Sequence, residues 1–255
     1  MPRYYTSRMR RLVIGLWLFV FALAACAQPA AKPVRILLVG NALITSGDVA
    51  ARLGKVAQAT GRTVRTEVIA SPRYSLEDHA DDASTLEAIR RGWDYVVLQQ
   101  DASSPDKRAA FTAPVKRLSD AARAAGAKPV LFMAWPRHDR SAAFRDAIAL
   151  HREAAQAADA MLVPAAEAWL RALGDTPDLK LYANDGTQAT PLGSDLAALT
   201  LFFTLMPAGP QEFDEAYVQK IGRALDLPPA ARDKLIDAAT RAVDEPLALG
   251  KPRTP

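Results

Sequence analysis

The sequence predicts an α/β protein, a three-layer α/β/α sandwich around a five-stranded parallel sheet of flavodoxin-like order. Short apolar runs alternate with longer segments whose apolar residues recur at helical spacing. This alternation is typical of parallel strands joined by crossover helices. The first run, Val34 to Val39, is followed by Gly40-Asn41 and a polar loop. In open sheets such a first strand-to-helix turn lies at the edge where ligands bind.

The strands are predicted from runs of β-branched and other large apolar residues. They cover residues 34–39, 63–70, 93–99, 129–135 and 161–163. Helices follow from apolar positions three and four residues apart and from a capping box of Ser75 with Asp78. They cover residues 48–60, 75–91, 105–125, 140–158, 165–173, 192–206, 213–225 and 230–243. The segment 192–206 is apolar on nearly all sides, which favours a buried core helix over a membrane span.

Residues 1–25 are predicted to be a signal peptide, because a basic start precedes a short apolar run. Leu23-Ala24-Ala25-Cys26 resembles the lipobox of bacterial lipoproteins, which implies cleavage before Cys26 and lipidation of its sulfur. The following residue is Ala27, whereas Asp there tends to retain lipoproteins in the inner membrane. The resemblance therefore implies the periplasmic face of the outer membrane. An ordinary signal peptide with a chance cysteine is the alternative.

The rest of the chain divides into a tether at 26–33, a folded domain at 34–245 and a flexible tail at 246–255. Residues 1–25 hold four arginines and no acidic residue, so their removal lowers the formal net charge from +4 to zero. The mature chain thus has no basic excess that would indicate a nucleic-acid partner. Cys26 is the only cysteine in the sequence, which excludes an intrachain disulfide.

Three short blocks at predicted strand ends and in the late loop resemble the SGNH (GDSL-like) hydrolases. In that family a Gly-Asn-Ser or Gly-Asp-Ser ends strand one with its serine as nucleophile, and a late Asp-x-x-His supplies the base. The corresponding blocks here are Gly40-Asn41-Ala42, Val96-Val97-Leu98-Gln99 and Asp185-Gly186-Thr187-Gln188. The resemblance covers about residues 34–206. It implies that the oxyanion site is formed by Gly40, Asn41 and Gln99.

Two of the triad positions depart from the family pattern. The nucleophile position is Ala42, which has no hydroxyl, and the base position is Gln188, which takes no proton at neutral pH. Asp185 matches the third position. Loss of a triad member removes orders of magnitude of rate, so the two departures favour an inactive descendant.

Simpler interpretations of the same residues remain open. Gly40-Asn41 can be a strand-ending turn, and Asp185-Gly186 is a good turn dipeptide by itself. A relocated pair of Ser46 and His138 is a conceivable substitute for the missing nucleophile and base. His79 is interpreted as structural and His151 as solvated. The scattered histidines and the lack of a glycine-rich phosphate loop predict neither a metal nor a cofactor.

Three functions remain open. The first is an inactive SGNH-like envelope lipoprotein that is attached to the membrane through Cys26 and binds an envelope glycan, an acylated ligand or a protein partner. The second is an active esterase or deacetylase with a relocated nucleophile. The third is a structural envelope protein whose old pocket is filled by side chains such as Arg73, Tyr74 or Trp135.

Overall fold

The computed structural model describes residues 32–100, 108–209 and 211–248. The signal peptide, most of the tether with Cys26, and the end of the tail lie outside these residues. Five parallel strands form one sheet in the order β2-β1-β3-β4-β5, which confirms the predicted fold class. The strands are β1 (Val34–Gly40), β2 (Val64–Ala70), β3 (Tyr95–Gln100), β4 (Lys128–Met133) and β5 (Met161–Val163).

Helices connect the strands and cover both faces of the sheet. They are α1 (Ala42–Thr45), α2 (Val49–Ala59), α3 (Leu76–Asp81), α4 (Ala83–Ile89), α5 (Arg108–Ala124), α6 (Phe144–Ala157), α7 (Ala165–Asp175), α8 (Pro191–Leu205), α9 (Glu215–Ala224) and α10 (Pro229–Asp244). A 3₁₀ segment at His138–Ala143 leads into α6.

Alternate residues of β1 show why the sheet needs helices on both sides. Ile36 and Leu38 are fully buried in one apolar core, while Leu37 and Val39 are fully buried in the other. Successive strand residues point to opposite faces, so an uninterrupted apolar run requires cover on each face. Each core lies between the sheet and one layer of helices, so the domain is a three-layer sandwich.

Helix α8 is the core helix that the sequence predicted. Most of its residues are buried, and it packs against α2, α7 and α10. Thr190 caps its start by accepting a hydrogen bond from the backbone N–H of Gly193. Within the residues that the structure describes, no helix is long and apolar enough to cross a bilayer.

The predicted helix over 75–91 is two helices. Its capping box is present, with the Ser75 hydroxyl and the Asp78 carboxylate bonded to each other's backbone N–H. The chain leaves helical geometry at Asp82, whose carboxylate accepts bonds from the backbone and side chains of Ser84 and Thr85. These bonds hold the pKa of Asp82 well below its usual range. A side chain that caps a new helix start competes with helix continuation, which explains the break.

One further expectation was wrong. His151 was expected to be solvated, yet it is fully buried, with ring nitrogens 2.8 Å from the Ala147 carbonyl oxygen and 3.3 Å from that of Gln100.

The chain after α10 is attached to the domain at Leu247. The backbone of Leu247 donates to the buried carboxylate of Glu167 and accepts from Arg152. These two side chains form a partly buried ion pair with each other.

A second ion pair connects α8 to the chain that follows β1. Arg52 on α2 pairs with Asp195, which is almost fully buried near the start of α8. The Arg52 Nε also donates to the Gly47 carbonyl at 2.8 Å. A Cβ at Gly47 would lie 1.9 Å from the Ser194 hydroxyl oxygen, so the loop and the helix can meet only because residue 47 is glycine. Burial raises the pKa of Asp195 to about 6, against the attraction of Arg52.

The raised pKa of Asp195 gives a pH-dependent prediction for Asp195→Asn. Between about pH 4 and pH 6 the native carboxyl keeps a proton that the unfolded one has lost, so the wild type loses stability as the pH rises through this window. The variant lacks this titration. In urea unfolding, the variant's free energy of unfolding should therefore rise relative to that of the wild type between pH 4 and pH 7. Asp178→Asn, an exposed surface change, is the control, and a relative stability that moves the other way would contradict the prediction.

Candidate functional site

One cleft of about 470 Å³ lies at the carboxyl edge of the sheet. It is formed by the start of α1, the loop after β2, the end of β3 and the loop before α8. The lining residues are Asn41, Ala42, Leu43, Pro72, Arg73, Tyr74, Ser75, Gln100, Asp185, Thr187 and Gln188. The structure thus brings the three triad positions, Ala42, Asp185 and Gln188, into one cleft although about 140 residues separate the first from the others.

The end of β1 is fixed by contacts of its backbone. The backbone N–H of Asn41 donates to Gln99 Oε1 at 3.0 Å, and the Asn41 side chain caps α1 by accepting from the Leu43 N–H at 3.1 Å. Nε2 of the buried His79 lies 2.9 Å from the Gly40 carbonyl oxygen. A Cβ on Gly40 would approach Gln99 Oε1 to 2.5 Å. Glycine at this position therefore permits the contact that places Asn41 and Ala42.

The structure separates the roles of two adjacent glutamines. Gln99, the expected oxyanion donor, is buried, does not line the cleft, and uses its amide oxygen on Asn41. Gln100 lines the cleft, and its amide oxygen accepts from the Leu76 N–H at 2.7 Å. Its amide nitrogen remains as a donor. The sequence interpretation missed Gln100. Strand alternation could have indicated it, because neighbours on β3 point to opposite faces.

The late loop is a turn held by Asp185. Its Oδ1 accepts from the backbone N–H groups of Thr187 at 2.8 Å and Gln188 at 2.9 Å, and Gly186 adopts a φ of +65°. These two hydrogen bonds, helped by the nearby charge of Arg137, lower the pKa of the Asp185 carboxyl. The turn role proposed from the sequence is therefore real, and it leaves the Gln188 side chain exposed beside the cleft.

Aromatic residues support this loop from below. Trp135 stacks on Trp169 with ring centroids 4.0 Å apart, and its Nε1 donates to the Thr187 carbonyl at 3.0 Å. The half-buried Tyr182 donates its hydroxyl to the Pro136 carbonyl at 2.8 Å, and burial raises its pKa. Trp135 is thus a support for the loop. Of the three side chains that the structural-protein hypothesis named, Arg73 and Tyr74 line the cleft and Trp135 does not.

The suggested Ser46–His138 pair finds no support in the geometry. Ser46 ends α1, is exposed, and lies outside the lining of the cleft. The His138 ring packs edge-on against Tyr182, and its backbone N–H donates to the Gly186 carbonyl at 2.8 Å. Within the described ranges no serine hydroxyl is hydrogen-bonded to a histidine ring. His79 contacts the Thr85 hydroxyl at 3.1 Å, but both side chains are buried, which fits the structural role expected for His79.

The cleft therefore offers amides, hydroxyls, an aromatic ring and a guanidinium. Its one lining serine, Ser75, donates its hydroxyl to the Asp78 carboxylate at 2.7 Å and serves as a helix cap. Among the described residues no group of three or more metal-ligating side chains comes together. Such a lining can bind a polar ligand, and among its described residues positions 42 and 188 carry neither the hydroxyl nor the imidazole of the family triad.

Sheet order and cleft position define a three-layer domain of the hydrolase type. A solved protein from Slackia heliotrinireducens, classed as an SGNH hydrolase, is 31% identical, with a TM-score of 0.57 over 68% of this chain and 100% of that chain. The chain belongs to the SGNH hydrolases, as the sequence blocks indicated. No family model matches the sequence, and no curated protein does so either.

Two more distant structures share the fold. A DUF4886 family protein from Bacteroides uniformis is 17% identical, with a TM-score of 0.65 over 86% of this chain and 98% of that chain. An acetyl xylan esterase is 15% identical, with a TM-score of 0.54 over 68% of this chain and 100% of that chain. At these identities the similarity concerns the fold alone.

The close approach of Gly40 to Gln99 predicts that Gly40→Ala is destabilising. The added methyl group would push Gln99 away from the Asn41 N–H, and overpacking of this kind costs about 1–3 kcal/mol. Gly54→Ala is the matched control, since its Cβ would meet open space in the middle of α2 and should stabilise by about 0.5–1 kcal/mol. Chemical denaturation measures both. Equal stability of the two variants would contradict the prediction.

Proposed function

We propose that this protein is an SGNH-type lipoprotein of the cell envelope that binds a ligand in its cleft and does not hydrolyse it. The observation that carries the proposal is the presence of Ala42 and Gln188 in the same cleft as Asp185. The three positions share one cleft, and two of them lack the hydroxyl and the imidazole that the family uses for the chemistry.

Hydrolysis of an ester needs a nucleophile, a base that activates it and donors for the oxyanion. A methyl group at Ala42 supplies no nucleophile, and the Gln188 amide has no basic nitrogen at neutral pH. The Gln100 amide nitrogen remains as a donor. Donors without a nucleophile can bind the oxygen of a ligand but leave its bonds unbroken.

The ligand is best sought among polar, hydroxyl-rich molecules such as an envelope glycan or an acylated sugar. Amide groups from Gln100 and Gln188 can each donate and accept hydrogen bonds, and Tyr74 presents an aromatic ring that is 41% exposed. The cleft is still open at about 470 Å³, within the usual range of about 300–1,000 Å³ for ligand sites. A filled pocket, as in a purely structural protein, would not have this volume.

We also propose that processing before Cys26 leaves the domain on a short lipidated tether at the periplasmic face of the outer membrane. The support is the lipobox-like Leu23-Ala24-Ala25-Cys26 and the Ala27 that follows it. An acyl anchor would keep the cleft near envelope glycans, because stable attachment confines the domain to the membrane surface.

Restoration of the missing groups tests the proposal. We expect the purified wild type to hydrolyse p-nitrophenyl acetate no faster than buffer. Ala42→Ser combined with Gln188→His should gain activity, because Asp185 keeps its second carboxylate oxygen to orient the new imidazole. A triad acting as a unit supplies about 10³-fold or more, so the double variant should exceed either single variant by at least about tenfold.

Asp185→Asn in the double variant is the matched control and should remove most of the gain. Wild-type turnover as fast as that of the double variant would overturn the proposal of an inactive protein. A double variant that folds, by circular dichroism, and still has no activity would overturn the view that the cleft keeps the family geometry.

A further inference from the structure

We infer that the ligand of the cleft is an acidic saccharide whose carboxylate is bound by Arg73. The inference rests on the proposed binding function and names the chemical class of the ligand. Arg73 lies in the loop between β2 and α3 and lines the cleft. It is not one of the triad positions, and it takes no part in the turn at Asp185.

The charges around the cleft point to an anion. Arg73 forms no hydrogen bond or ion pair with any other residue that the structure describes. By contrast, the nearby Arg137 is paired with both oxygens of Asp139 at 3.1 Å. Asp185, the carboxylate in the lining, directs one oxygen to two backbone N–H groups and forms no ion pair with Arg73. Among the described residues of the lining, Arg73 is therefore a positive charge without a partner, and a guanidinium binds a carboxylate through two parallel hydrogen bonds.

The neighbouring residue supplies a surface suited to a sugar ring. Tyr74 is 41% exposed in the cleft, and its ring is held edge-on against the buried His79 with centroids 5.1 Å apart. His79 is in turn bonded to Gly40, so the tyrosine is presented from a fixed base. An aromatic ring with a rigid support provides contact area at little entropic cost, and the C–H face of a pyranose can pack on it.

Amide groups complete the set of contacts. The Gln100 amide oxygen is occupied by the Leu76 N–H, which leaves its nitrogen to donate to a hydroxyl or carbonyl oxygen. The exposed Gln188 lies on another wall of the cleft. Guanidinium, aromatic ring and amides together match a carboxylate, an apolar ring face and hydroxyls. A hexuronic acid or another sugar acid carries all three, whereas inorganic phosphate carries only the charge.

The test compares two probes that differ in one group, methyl β-D-glucuronide and methyl β-D-glucoside, with inorganic phosphate as a third. Titrations of the purified protein are followed by ¹H–¹⁵N NMR, which detects weak binding and reports on the glutamine amides. We expect the glucuronide to bind at least about tenfold more tightly than the glucoside, because its carboxylate adds a charge-assisted hydrogen bond to Arg73. Arg73→Gln should abolish the difference, and added salt should reduce it.

Arg90→Gln is the matched control, since Arg90 is exposed at the end of α4 and does not line the cleft. It should leave both affinities unchanged. Equal binding of glucuronide and glucoside would overturn the inference about charge and keep the proposed function. If phosphate binds as tightly as the glucuronide, the inference that the ligand is a saccharide is overturned. Absence of binding by all three probes would count against the inference and the proposed cleft function together.

Discussion

The site depends on the close approach of β1 to β3 at Gly40. Because this residue has no Cβ, the Gln99 side chain can reach across and accept the N–H of Asn41. That hydrogen bond ends the strand, and Asn41 then caps α1 and sets the direction of Ala42. His79 contacts the same turn from the other side through the Gly40 carbonyl. A small turn held by these hydrogen bonds thus fixes one wall of the cleft, and a larger residue at position 40 would disturb each contact.

This dependence explains how the cleft can persist with Ala42 and Gln188 at the family's nucleophile and base positions. The walls are held by contacts to backbone atoms, as with Asn41, Asp185 and Trp135. None of these contacts requires a hydroxyl at position 42 or an imidazole at position 188. Replacing a side chain that points into solvent-filled space creates no cavity in the core and costs little stability. The side chains at positions 42 and 188 can therefore change without loss of the fold.

The sequence was sufficient for the sheet order, the buried helix α8 and the meeting of distant blocks at one edge, because periodicity and crossover rules determine these features. The sequence was insufficient where one particular side-chain contact determines the local structure or the burial of a residue. The break at Asp82 depends on a local cap competing with the helix, and the burial of His151 depends on Phe111 packing against its ring. Gln99 and Gln100 are identical in type, so only the face of β3 that each occupies separates their roles.

The residues of the cleft fall into two groups with different implications. Asn41 and Asp185 have structural roles, since Asn41 caps α1 and Asp185 stabilises a turn, so their presence does not require a ligand. Arg73 and the exposed ring of Tyr74 have no comparable role in the described part of the chain. An exposed arginine and tyrosine are ordinary when isolated, but here they are adjacent and share an open cleft with the amide of Gln100. The proposed binding specificity is therefore to be sought in the loop after β2, and the proposed loss of hydrolysis at positions 42 and 188.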